Sequence, residues 1–91
     1  MKAAEARYMS RVASLGCVVC RNAGLGDTPA EVHHLREGQG GAQRASNYLT
    51  IPLCVSHHRG GDSIHNDRRG FESRYGDELT LLAQTIAELQ R

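Results

Sequence analysis

The sequence is poor in the residues that build a large apolar core. Its 91 residues include only four aromatic side chains, none of them tryptophan, against ten glycines. A chain this short also buries a smaller share of its surface than a domain of about 150 residues. Apolar packing alone is therefore a weak candidate for stabilising the fold. A bound metal ion is a common remedy in small domains, and we expect one here.

The sequence also lacks long apolar runs and an even number of cysteines. No run is long enough for a signal peptide or a membrane-spanning helix, and this predicts a cytoplasmic protein. The three cysteines fit a disulfide framework poorly, because one thiol would be left over, and they fit a metal site completed by histidine. The length predicts one domain over residues 1–91.

Lysine is almost absent. Ten of the eleven basic residues are arginine, and the formal net charge is only +1. The overall charge therefore neither favours nor excludes a nucleic-acid partner. Guanidinium groups suit paired hydrogen bonds to phosphate, although a GC-rich genome would also encode arginine in place of lysine.

The order of helix, strand and loop signals predicts an α+β fold. Apolar and charged residues without internal glycine or proline favour an N-terminal helix, and two β-prone runs separated by a glycine-rich turn predict a β-hairpin with a long loop. The expected elements are a helix over 3–15, strands over 31–35 and 48–53, a helical turn near 57, a helix over 66–75 and a last helix over 78–90.

The last helix has an apolar stripe at three- and four-residue spacing. Its members are Leu79, Leu82, Ile86 and Leu89. Such a stripe predicts a face that packs on the core, with a partner-binding face as the alternative.

Two ligand pairs with the same spacing predict a structural zinc site. Cys17 and Cys20 form one pair, and Cys54 and His57 form the other. Together they supply the four soft or borderline donors that tetrahedral Zn²⁺ prefers. A redox-active Cys-x-x-Cys motif is the alternative, but it would need a thioredoxin-like βαβ unit for which this chain has no room.

Four further histidines have no part in that zinc site. They are His33, His34, His58 and His65. Imidazoles of this number could hold a hydrated divalent ion and supply a general base. His33 and His34 would point to opposite sides of a strand, so we expect one of the two to be a ligand and the other a base.

In combination these motifs resemble the zinc-stapled HNH endonucleases, the ββα-metal finger. The matching elements are Cys17-x-x-Cys20, Val32-His33-His34, Gly40-Gly41, Asn47 and Leu53-Cys54-x-x-His57-His58-Arg59. The sequence is similar in particular to the phage and prophage RecA-dependent nucleases of the recombination enhancement function family. Phe71-Glu72-x-x-Tyr75-Gly76 adds to that similarity, which covers about residues 17–82.

The resemblance implies a small zinc-stapled ββα-metal HNH fold with a β-hairpin and flanking N- and C-terminal helices. It implies that His34 is the general base and that His33 and His58 hold a catalytic Mg²⁺ or Mn²⁺, or a second Zn²⁺. His65 would be a third ligand or a phosphate contact, and Asn47 would orient His34. The chain departs from the common pattern at His57, where a cysteine is usual, at Arg59, and in the distance of Asn47 from Cys54.

The activity that the resemblance implies is hydrolysis of DNA phosphodiester bonds by an endodeoxyribonuclease encoded by a phage or prophage in a bacterial host. DNA would be the substrate, contacted mainly through its backbone, and the RecA filament would be the expected protein partner. The alternative is a zinc-stabilised module that binds nucleic acid or protein without cleaving it. Such a module would need the Cys/His set but not the additional histidines.

Overall fold

Five helices and two strands make up the part of the chain that the computed structural model describes, residues 2–91. The predicted α+β class is confirmed, and the elements that were expected have observed bounds within a few residues of the predicted ones. In chain order the elements are α1 (Ala3–Ser14), α2 (Val18–Asn22), β1 (Glu31–His34), β2 (Thr50–Leu53), α3 (Val55–Arg59), α4 (Arg68–Tyr75) and α5 (Glu78–Leu89).

The two strands form an antiparallel pair with a register that separates the adjacent histidines. His33 pairs with Ile51, and His34 pairs with Thr50. Because successive side chains of a strand point to opposite faces, His33 and His34 lie on different sides of the hairpin. Residues 35–49 connect the strands, so the expected long loop is present.

The chain changes direction between α1 and α2 at a glycine. Gly16 has a φ of 79°, and a Cβ there would lie 3.3 Å from the backbone oxygen of Thr28. The expected elements did not include α2, which begins at once after Cys17. The Cys17 sulfur accepts a hydrogen bond from the backbone N–H of Cys20 at 3.5 Å and so caps this short helix.

The apolar core lies between the hairpin and the helices around it. Helices α1, α2 and α5 all contact β2, and β2 is buried along its whole length. The fully buried apolar side chains include Val12, Val18, Val19, Ile51, Leu53, Phe71 and Leu81. Within residues 2–91, no helix has both the length and the apolar character needed to cross a bilayer.

The apolar stripe predicted for α5 is wrong, because the helix packs a different face on the core. Leu79 and Ile86 are 55% and 41% exposed. Glu78, Leu81 and Thr85 face inward instead, and Leu82 is also buried. The physical reason is that Glu78 accepts hydrogen bonds from His33 in β1 and from the backbone N–H groups of Arg36 and Glu37, which follow that strand. These bonds fix the rotation of the first helical turn.

Candidate metal centres

The first cluster brings together three thiols and one imidazole. Cys17 and Cys20 lie at the start of α2, Cys54 follows β2, and His57 lies one turn later in α3. The sulfurs of Cys20 and Cys54 are 3.8 Å apart, and His57 Nδ1 lies 3.8, 3.7 and 3.2 Å from the three sulfurs in sequence order. In a tetrahedral site with zinc–sulfur bonds of about 2.3 Å, two sulfurs are about 3.8 Å apart. These four atoms could therefore hold one metal ion such as zinc.

The thiols of the first cluster are buried and free of disulfides. Cys17, Cys20 and Cys54 are 1%, 4% and 6% exposed and are not joined in disulfides. Burial raises the pKa of the Cys17 thiol to about 11. Metal binding requires the thiolate, so a cation at the centre of the cluster would have to stabilise that charge.

A carboxylate lies behind the imidazole of this cluster. His57 Nε2 is 3.8 Å from Asp62 Oδ2. Asp62 accepts hydrogen bonds from the Tyr75 hydroxyl and, at 2.6 Å, from Arg74 Nη2. The bond from Tyr75, followed by that from Arg74, lowers the pKa of Asp62. An ionised carboxylate therefore faces the ring nitrogen opposite the sulfurs, as is common behind metal-binding histidines.

The second cluster consists of three imidazoles from separate parts of the chain. His33 lies in β1, His58 in α3 and His65 in the segment that follows α3. One nitrogen of each ring lies within 4.8 Å of the others, and His58 Nε2 is 3.1 Å from His65 Nε2. Burial, followed by the charges of His33 and His58, lowers the pKa of His65. The neutral imidazole that this favours is the form that binds metals.

Glu78 fixes the orientation of the first of these rings. His33 is 1% exposed, and its Nε2 donates a hydrogen bond of 2.7 Å to Glu78 Oε2. Glu78 also accepts bonds from the backbone N–H groups of Arg36 and Glu37. Burial opposes ionisation of Glu78, but the bonds from His33 and these two N–H groups outweigh it and lower the pKa to about 2.

The remaining nitrogen of His33 is the buried atom that most clearly indicates a ligand. Its Nδ1 has no hydrogen-bond partner within residues 2–91. Buried polar atoms are normally paired. With Nε2–H bonded to Glu78, Nδ1 of the neutral ring carries a free lone pair, which is the tautomer that a metal-binding histidine needs.

A second carboxylate orients His58 in the same manner. His58 Nδ1 donates a 2.8 Å hydrogen bond to Glu31 Oε1, leaving Nε2 directed towards His65. Arg59 donates from Nε and Nη2 to the same carboxylate. The bond from Arg59, followed by that from His58, lowers the pKa of Glu31 to about 2. The donor set and its two ionised carboxylates therefore fit a divalent metal ion.

His34 lies outside both clusters, on the other side of the strand. Its Nε2 is 2.8 Å from Asn47 Oδ1, and Asn47 Nδ2 donates a 3.0 Å bond to Glu5 Oε1 on α1. His34 nevertheless lines the same cavity as the second cluster. This cavity has a volume of about 270 Å³, and its lining also includes Arg36 and Arg44.

The structure brings the residues that the sequence singled out into three groups. Cys17, Cys20, Cys54 and His57 form the first cluster, His33, His58 and His65 form the second, and Asn47 contacts His34. Sequence reasoning missed the carboxylates behind them. Glu31 lies two residues before His33 on the same strand face, so strand periodicity could have indicated it. Glu78 and Glu5 gave no comparable signal, because only the tertiary fold brings them to the site.

Comparison with known proteins gives a family and one distant relative. The model of a family described as "Protein of unknown function (DUF968)" matches residues 1–89. The chain is 33% identical over 82 residues to a protein of Escherichia coli (strain K12) described as "Uncharacterized protein YdfU". That match covers 88% of this chain and 21% of the relative, so the chain spans about a fifth of the relative's length.

Proposed function

The chain belongs to the DUF968 family, and from the geometry of the site and the resemblance to the HNH endonucleases we propose that it is a metal-dependent DNA endonuclease. The proposal includes the HNH, or ββα-metal, fold within residues 1–91. The first cluster is the structural zinc site, and the second holds the catalytic divalent ion. The observation that carries the proposal is the position of His34, which shares one cavity with three imidazoles but is bonded to none of them.

His34 has the arrangement of a general base. Its Nε2 is occupied by the hydrogen bond to Asn47, so Nδ1 is the nitrogen that can accept a proton. In the proposed reaction Nδ1 takes a proton from water as the water oxygen bonds to phosphorus, and the bond from phosphorus to the leaving sugar oxygen breaks. A divalent ion held by His33, His58 and His65 would supply positive charge to the scissile phosphate and the departing oxygen.

The lining of the cavity suits a phosphodiester. Within residues 2–91, no acidic residue lines it, because the carboxylates of Glu31 and Glu78 lie behind the histidines. The Arg36 guanidinium donates hydrogen bonds to the backbone oxygens of Gln43 and Gly40 at 2.5 and 2.8 Å. These bonds hold the loop that carries Arg44 in place. Arg44 has no hydrogen-bond or ion-pair partner among the described residues, so its guanidinium is available to a phosphate.

The substrate and partner follow from the same proposal. DNA is the substrate, and the backbone contacts expected from such a site would give little sequence preference. The RecA filament is a proposed partner on the strength of the resemblance to the RecA-dependent nucleases alone. Since the relative is much longer than this chain, further parts of such proteins would contribute their own contacts.

A cleavage assay with His34→Ala tests the proposal. We expect the wild-type protein, supplied with Mg²⁺, Mn²⁺ or Zn²⁺, to nick circular DNA with or without RecA. His34→Ala should lower the rate about a hundredfold to ten-thousandfold, the usual contribution of a general base. Thr80→Ala, at an exposed position of α5 outside this cavity, is the matched control and should cleave at the wild-type rate.

Two results would contradict this function. Equal cleavage by wild type and His34→Ala would remove the assigned base. Absence of cleavage with every metal, with and without RecA, would favour a zinc-stabilised binding module.

A further inference from the structure

We propose that Glu5 is a positioning residue that sets the tautomer of His34 through Asn47. The inference deepens the proposed function and rests on it for its catalytic meaning. It assigns a role to α1, an element that contributes no ligand to either cluster. Its basis is a chain of two hydrogen bonds that links the helix to the proposed base.

The direction of both bonds follows from chemistry. The carboxylate of an ionised Glu5 can only accept hydrogen bonds. The nearby atom of Asn47, at 3.0 Å, must therefore be the amide nitrogen Nδ2. This leaves Oδ1 facing His34 at 2.8 Å. Since Oδ1 can only accept, His34 Nε2 must carry a proton, and in the neutral ring Nδ1 then carries the lone pair.

Without Glu5 the same geometry would be ambiguous. An asparagine amide can rotate by half a turn and present Nδ2 to the imidazole, because its oxygen and nitrogen have nearly the same size and shape. That orientation would favour the opposite His34 tautomer, with the proton on Nδ1, which could then not act as the base. Glu5 removes the ambiguity because it offers no donor.

The backbone of Asn47 is held independently of Glu5. The Thr50 hydroxyl donates a 3.1 Å hydrogen bond to the backbone oxygen of Asn47, and Thr50 is fully buried. Loss of the Glu5 carboxylate should therefore free the side-chain amide while the loop stays in place. Glu5 is itself only half-buried, so its replacement should cost little stability.

The tautomer can be read directly by NMR. The experiment uses the zinc-loaded 91-residue chain with ¹⁵N-labelled histidine at about pH 8.5, above the range in which unperturbed histidines titrate. The two-bond proton–nitrogen correlations of each ring distinguish its two neutral tautomers. We expect wild-type His34 to have the proton on Nε2, and Glu5→Ala to have a mixture of both tautomers. Arg7→Ala, at an exposed neighbouring position on α1, should retain the wild-type pattern.

A paired substitution provides a rescue. In the double variant Glu5→Gln with Asn47→Asp, the carboxylate lies at position 47 and the amide at position 5. The carboxylate would accept from both the amide and His34 Nε2, so the wild-type tautomer should return. Glu5→Gln alone should be intermediate, because its amide can either accept from Asn47 or donate to it.

Activity provides the second readout. Glu5→Ala should lower kcat about tenfold, at the lower end of the effect of removing an outer hydrogen-bond partner, with KM changed less than about twofold. A wild-type His34 with its proton on Nδ1 would overturn the inference. So would a Glu5→Ala variant with unchanged tautomer and kcat. An inactive wild-type protein would contradict the proposed nuclease function. The NMR measurement needs no DNA, so it would still show whether Glu5 sets the His34 tautomer.

Discussion

The two clusters differ in ligand chemistry, in burial and in what lies behind them. The first consists of three buried thiols and one imidazole, with a single carboxylate 3.8 Å from the ring. The second consists of three imidazoles, of which His65 is exposed, and two ionised carboxylates bond to the rings at 2.7 and 2.8 Å. A closed thiolate site suits a structural ion, whereas an open imidazole site leaves room for substrate. On the proposed function, this difference would separate stability from chemistry within one small domain.

The largest effect should come from removing a thiol of the first cluster. Cys17→Ser should lose its metal and unfold, because the binding energy of a structural zinc in small domains is about 10 kcal/mol or more and is largely folding energy. Circular dichroism and elemental analysis would measure both losses. His65→Ala, a change in the second cluster, should stay folded with one zinc per chain. A folded Cys17→Ser protein with stoichiometric zinc would contradict the distinction between the clusters.

The buried carboxylate of the second cluster should have a smaller but clear effect on stability. Glu78→Gln replaces an acceptor that is 1% exposed and that binds His33 and two backbone N–H groups. We expect a loss of about 3 kcal/mol in the free energy of unfolding at pH 7, measured by urea denaturation. Glu88→Gln, on the same helix but partly exposed, should cost less than about 1 kcal/mol.

Glu78 should also make stability depend on pH. Its folded-state pKa of about 2 lies below the ordinary value of 4.5, so its ionisation stabilises the fold above that ordinary value. This contribution should disappear as the pH falls from 4.5 towards 2. The difference in stability between wild type and Glu78→Gln should therefore shrink over that interval, and a constant difference would contradict the assignment.

The smallest of these effects should be confined to metal affinity at the second cluster. Glu31→Gln keeps the size of the side chain but removes the ionised acceptor of His58 Nδ1. We expect the affinity for Mn²⁺ to fall about tenfold to a hundredfold, measured by calorimetric titration of zinc-loaded protein. Arg59→Ala leaves the His58–Glu31 bond in place and should lower the affinity by less. Unchanged affinity in Glu31→Gln would show that His58 does not depend on this carboxylate.

Much of the architecture could be predicted from local patterns. The long loop between β1 and β2 follows from glycine content, and α1 follows from the absence of glycine and proline before Gly16. The rotation of α5 could not be predicted in this way. Its apolar spacing favoured a face containing Leu79 and Ile86, but the buried bond between Glu78 and His33 determines which face turns inward. Periodicity averages over a helix and cannot register one strong polar contact from a distant strand.

The local features of the site could also be predicted from the sequence. Spacing was enough to pair Cys17 with Cys20 and Cys54 with His57, because ligands three residues apart can reach one ion within a single turn. Strand alternation was enough to place His33 and His34 on opposite sides of β1. Both are local properties of the chain, so the sequence by itself determined them.

Only the tertiary structure decided which nitrogen of each ring is free. Glu78, Glu31 and Glu5 reach His33, His58 and Asn47 across 45, 27 and 42 positions of the chain. Each carboxylate fixes a proton on one ring nitrogen or the orientation of one amide, and so determines where the opposite lone pair points. A hydrogen bond of this kind depends on contact between remote segments, and no local spacing encodes such a contact.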